Sequence, residues 1–169
     1  MLVIKIMLLF FIFIGTSLIG IMISNKYKNR TKELYEIKKT LNFFKSKIEY
    51  TYEPLKDIFL EISNNSIENI RNIFLTTATK MDQLSAEDAW KYAVEISKNN
   101  LNKKDISIIK DFGTALGQTD IQGQLNKTKL TLEFLDKQIE EAEDEEEKNT
   151  KLYKTLGVVA GAGLVIILI

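Results

Sequence analysis

Apolar residues gather at the two ends of the chain and charged residues fill the middle. Residues 6–23 run without a charge for 18 positions. As a helix they would measure about 27 Å, close to the roughly 30 Å of a bilayer's hydrocarbon core. This predicts an N-terminal transmembrane helix over 1–24. The competing reading is a cleaved signal peptide headed by Lys5, but the run is long for a signal and no A-x-A-like site follows it. Residues 156–169 are uncharged for 14 positions, about 21 Å of helix. Extending back to Leu152 admits Lys154, whose ammonium can snorkel to the interface, and gives a second predicted span over 152–169. The alternative is a helix packed inside a soluble domain. Gly157 and Gly161 form G-x-x-x-G beside Ala160, Ala162 and Gly163. Small residues at this spacing let helices approach closely, so the pair is a candidate for membrane-helix packing, or composition without contact.

Residues 25–151 contain one proline and little strict alternation, which predicts helices and not strands. Leu34, Ile37, Leu41, Phe44 and Ile48 recur at spacings of three and four, one stripe of a helix that follows the first span. Pro54 suits the first turn of a second helix running to Asn64-Asn65-Ser66. A third starts near Ser66 and carries Ile67, Ile70, Ile73 and Phe74. Ser85 and Asp88 read as a capping box before Ala89, Trp90, Ala93 and Val94. Ile106, Ile109, Phe112 and Leu116 mark another helix, with Gly117 as its stop. Thr119 and Gln122 read as a further capping box opening one long helix through Leu125, Thr128, Leu132, Leu135, Ile139 and Ala142. That stripe fits either a bundle helix or a coiled-coil seam. The expected architecture is all-α: a helical bundle over 25–151, anchored in the membrane at both ends.

Charge orients this arrangement. The stretch 26–45 holds seven basic and two acidic residues, whereas 133–147 holds nine acidic residues and one lysine. By the positive-inside rule the cluster after the first span stays cytoplasmic, as do Lys148, Lys151 and Lys154 before the second, so both termini face outward. If the first and last bundle helices run antiparallel from one membrane surface, the two charged stretches meet with complementary fields. Contact with anionic lipid headgroups and a solvated acidic face are the alternatives.

The 169 residues include 23 basic and 23 acidic side chains, no cysteine and no histidine. Disulfides, zinc sites of the usual ligand types and imidazole-based nucleophilic catalysis have no residues to work with. No phosphate-cradling glycine loop or nucleophile elbow occurs. The acids crowd onto a face expected to be solvated, where pKa shifts suited to acid–base work do not arise. Only two of the 23 basic residues, Arg30 and Arg71, are arginine, which argues against nucleic acid as a partner. No enzyme activity, cofactor or metal is expected, and Trp90 is expected as a core anchor ahead of a binding contact.

Several segments together resemble the stage III sporulation protein AB family of endospore-forming bacteria. They are Tyr50 with Pro54-Leu55, Ala89-Trp90, the string from Phe112 and Gly113 through Leu116 and Gly117 to Asp120 and Gln124, and the tail from Leu156 to Gly161. The resemblance spans nearly the whole chain. It implies a subunit of the multiprotein channel or secretion-like complex that connects mother cell and forespore, lying in the mother-cell membrane around the forespore with its central domain cytoplasmic. It also implies similarity to the cytoplasmic domains of type II secretion and type IV pilus platform proteins. The implied partners are a cytoplasmic secretion-type ATPase, like stage III sporulation protein AA, other subunits of the same complex and membrane lipids, with a homo-oligomer as an option. On this basis Pro54, Trp90, Phe112, Gly113, Leu116, Gly117, Asp120 and Gln124 are candidate partner or fold residues. The alternative function is a membrane-anchored structural or signalling protein acting by self-association through Gly157 and Gly161.

Overall fold

A computed structural model describes residues 2–51, 53–118 and 120–168, and all regular structure among them is helical. The elements are α1 (Leu2–Tyr50), α2 (Leu55–Asn64), α3 (Glu68–Lys80), α4 (Ala86–Ile96), α5 (Lys103–Phe112), a 3-10 turn (Gly113–Ala115) and α6 (Ile121–Leu168). The chain forms two compact units: one comprises Lys32–Glu140, the other the residues up to Thr31 with those from Glu141 onward. These boundaries follow packing, whereas the expected boundaries at 24 and 151 follow hydropathy.

In the unit of residues 32–140, the apolar stripe of α1 is buried along its length, with Leu34, Ile37, Leu41, Phe44 and Ile48 all in the core. Pro54 ends the connection after α1. It stands at the N-cap of α2, and its carbonyl accepts from the N–H groups of Asp57 (3.0 Å) and Ile58 (3.2 Å), while its own missing N–H costs nothing there. Ser66 does not open α3. Its hydroxyl donates back to the Ile62 carbonyl (2.7 Å), closing α2, and α3 begins after Ile67 without a side-chain cap. Ser85 caps α4 by accepting from Asp88 N–H at 3.1 Å. Its hydroxyl donates to the Asp88 carboxylate at 2.7 Å, in place of the carboxylate-to-backbone half of a capping box. The reciprocal box is at α5, where Asn102 accepts from Asp105 N–H (2.8 Å) and Asp105 accepts from Asn102 N–H (2.9 Å).

Thr119, the expected capping-box partner of Gln122, lies outside the described residues. The cap that α6 shows is Asp120, whose Oδ1 accepts from Gly123 N–H at 2.8 Å. Asp120 is therefore the N-cap residue of α6. The buried face of α6 in this unit is also rotated from the leucine stripe: Thr128, Thr131, Leu135, Gln138 and Ile139 are buried, while Leu125 and Leu132 are half-buried. The threonines can occupy a core face because each hydroxyl donates to a carbonyl one turn back in its own helix, Thr128 to Gln124 (2.7 Å) and Thr131 to Lys127 (2.9 Å).

In the other unit, the first part of α1 and the last part of α6 run antiparallel, with Thr16 beside Gly161, Gly20 beside Gly157, Tyr27 beside Tyr153 and Arg30 beside Glu145. Both helices are long and apolar enough to cross a membrane. Only 6% of each apolar window is buried, which separates the C-terminal segment from the core helix of a soluble domain, whose apolar residues would be covered.

Candidate functional site

The unit of residues 32–140 is built around five aromatic rings, one from each of its first five helices: Phe44 (α1), Phe59 (α2), Phe74 (α3), Trp90 (α4) and Phe112 (α5). Trp90 lies 5.9 Å from Phe59, 5.3 Å from Phe74 and 5.1 Å from Phe112 between ring centroids. Phe44 stacks on Phe59 at 5.6 Å and meets Phe112 edge-on at 5.4 Å. Such offset and edge-on pairs contribute about 0.5–1.5 kcal/mol each beyond burial. The indole's polar edge is satisfied as well, since Trp90 Nε1 donates to the Ile109 carbonyl at 2.7 Å.

This arrangement accounts for three of the motif residues, Trp90, Phe112 and Gly113. A Cβ on Gly113 would sit 2.5 Å from Cδ1 and 3.1 Å from Cγ of Trp90, so the ring packs directly on glycine backbone. Leu116 is buried in the same unit. Gly117 has φ +72°, the left-handed conformation that favours glycine at a chain reversal. Trp90, Phe112 and Gly113 thus come together at one centre. Pro54 and Asp120 stand at helix starts, and Gln124 lies half-buried in the first turn of α6.

A second centre had no signal in the periodicity. Glu33, only 2% exposed, is a polar member of the buried face of α1. Its carboxylate accepts from Asn69 Nδ2 (2.7 Å), Asn100 N–H (2.7 Å) and Asn100 Nδ2 (2.8 Å), tying α1 to α3 and to the α4–α5 connection. A buried acid with three donors is satisfied where an unpaired one would be costly.

The exposed electrostatics are local. Hydrogen bonds that the Lys47 ammonium donates to Glu61 (2.7 Å) and then to Glu53 (3.2 Å) hold it above the ordinary lysine pKa, against a smaller opposing effect of desolvation. Lys91 is raised in the same way, chiefly by Glu87. Lys38 and Asp136 pair at 2.6 Å across α1 and α6. Among the described residues no three Asp or Glu side chains converge as metal ligands.

In the unit of the apolar ends, Gly157 and Gly161 abut α1 of the same chain. A Cβ on Gly157 would lie 2.9 Å from the Thr16 carbonyl and 3.1 Å from Gly20 Cα, and one on Gly161 would collide with Thr16 Oγ1. The matching signal in the first apolar run is Thr16 and Gly20, a small-x-x-x-small pair that complements G-x-x-x-G and that hydropathy alone passes over. Further along, Arg30 Nη1 donates to Glu145 at 2.9 Å, Thr31 Oγ1 donates to the Ala142 carbonyl at 3.3 Å, and Tyr27 stacks on Tyr153 at 5.9 Å.

The sequence pattern of stage III sporulation protein AB matches residues 5–169. The chain belongs to the stage III sporulation protein AB family. The family's member from Bacillus subtilis (strain 168) is 26% identical over 162 residues, covering 94% of this chain and 95% of that protein. A solved structure of stage III sporulation protein AB aligns with a TM-score of 0.64 at 22% identity, covering 70% of this chain and 96% of that one, a likeness of fold. Membership makes this a sporulation protein, and the two apolar helices point to association with a membrane.

Proposed function

We propose that the chain is a non-enzymatic membrane platform subunit of the complex connecting mother cell and forespore, and that its helical domain docks a cytoplasmic secretion-type ATPase. In this reading the apolar ends cross the mother-cell membrane around the forespore, with membrane boundaries near residues 24 and 152. The basic residues beside each span keep the bundle cytoplasmic. The observation that carries the reading is the use made of the motif. Trp90, Phe112 and Gly113 lie in an aromatic core that fixes five helices, which suits a rigid docking body.

The self-association reading draws on the G-x-x-x-G stripe, and that stripe is already occupied by Thr16 and Gly20 of the same chain. Co-purification tests the two readings. The full-length chain in detergent should retain a secretion-type ATPase of the same organism, and Trp90→Ala, which removes the central ring, should lose it. Retention of nothing but further copies of itself would overturn the platform role in favour of self-association.

A further inference from the structure

The pairing of α1 and α6 beside the apolar ends is flanked by a cavity of about 640 Å³ that lies largely open to its surroundings. Its walls carry both signs of charge: Glu143, Glu146 and Glu147 with Lys151 and Lys154 from α6, and Lys28 from α1. The signs are ordered along α6. The carboxylates lie farther from the apolar segment, the lysines at 151 and 154 lie next to it, and Thr150 stands at the changeover. By the register of the Arg30–Glu145 pair, Lys28 falls level with Glu147, opposite the middle of the cavity.

Glu147 and Lys151 are four residues apart, about 6 Å along the helix axis, in the order that favours an i,i+4 pair. Among the described residues, however, Lys28, Glu146, Glu147, Lys151 and Lys154 form no ion pair. Thr150 Oγ1, also on the cavity wall, is buried with no hydrogen-bond partner there. Ion-pairing capacity of both signs and a buried hydroxyl are thus left unused at one place.

We infer that this cavity takes the headgroup of a phosphatidylethanolamine-type lipid, with phosphate on Lys151, Lys154 and Thr150, reached also by Lys28, and the primary ammonium on Glu146 and Glu147. In such a lipid the phosphate is joined to the glycerol and lies nearer the hydrocarbon, and the ammonium lies outside it. The lysine-then-glutamate order leading away from the apolar segment has the same polarity. Phosphate oxygens accept from ammonium and hydroxyl donors, and a primary ammonium offers three N–H donors to carboxylates. A choline headgroup has no N–H to give, and an anionic headgroup without an amine would leave the carboxylates facing negative charge. The inference rests on the reading that the apolar helices cross a bilayer.

The test uses the full-length chain in phosphatidylcholine nanodiscs doped with phosphatidylethanolamine or phosphatidylglycerol, with lipid retained on extraction measured by mass spectrometry. The chain should retain phosphatidylethanolamine about tenfold over either other lipid, the scale of one charge-assisted contact. Both Lys151→Met/Lys154→Met and Glu146→Gln/Glu147→Gln should abolish that preference. Equal retention of phosphatidylglycerol, or a preference unchanged in both double variants, would overturn the site. So would displacement by glycerophosphoethanolamine at equal concentration, which would point to a soluble ligand. A chain that enters discs without preference loses this site alone, whereas a chain that fails to enter discs loses the membrane reading and the site with it.

Discussion

Gly113 and Glu33 show how single residues carry this fold. Gly113 lies against the face of Trp90 with no room for a methyl group, and the ring is fixed by its bond to Ile109 and by three aromatic neighbours. Gly113→Ala must therefore shift the ring or the 3-10 turn. Overpacking of this kind costs about 1–3 kcal/mol, and denaturant unfolding followed by fluorescence of the sole tryptophan should show that loss with a changed native-state spectrum. Glu33→Ala leaves the donors of Asn69 and Asn100 without their buried acceptor, a cost of about 1–3 kcal/mol for each group that water cannot reach. Amide exchange at Asn100 should accelerate well beyond that of residues in α2. The two residues differ in how legible they are. Gly113 stands inside a recognisable string, but the reason for its identity is a tryptophan 23 positions away in sequence. Glu33 reads as an ordinary polar position next to a core leucine, because its partners come from two distant segments.

At the scale of elements, local signals served well where the helix itself decides the outcome. The α1 stripe and the start of α2 at Pro54 follow from periodicity and backbone preference, and the structure has both; Gly117 takes its left-handed φ, but the helix expected to run to it ends at Phe112 and passes through a 3-10 turn first. Caps and the α6 face were harder to read. Ser66 is ambiguous because a hydroxyl can cap the next helix or bond back to the preceding one, and it does the latter; Thr128 joins the buried face of α6 because its hydroxyl bonds back into its own helix. The Asn102–Asp105 box carries aspartate where the usual pattern has glutamate or glutamine. Between helices, the exposed ion pairs set register more than stability. A double-mutant cycle on Lys38 and Asp136, more than a third exposed on each side, should give a coupling of about 0–1 kcal/mol that salt weakens. Lys47 joins α1 to Glu53 and to Glu61 of α2. Its folded pKa is raised, so its contribution is complete below the ordinary lysine value of about 10.4 and is lost as pH rises through the higher folded value. The stability difference between wild type and Lys47→Gln should stay level from neutral pH to about pH 10 and shrink above it.

At the scale of the whole molecule, the segregation of apolar ends from a charged centre decides what the protein can be. The helical centre buries Trp90, Phe112, Gly113 and Leu116 in its core, while the apolar segments at the two ends are uncovered. The proposed platform role depends on where the centre lies relative to the membrane, and the absence of cysteine from the sequence makes that directly measurable. Gln83 is exposed in the turn between α3 and α4 and should accept a cysteine without loss of stability. In intact sporulating cells, a membrane-impermeant thiol reagent should leave Gln83→Cys unlabelled until the membrane is opened, while a cysteine appended to either terminus is labelled at once. Labelling of Gln83→Cys from outside intact cells would contradict the cytoplasmic bundle and with it the docking of a cytoplasmic motor.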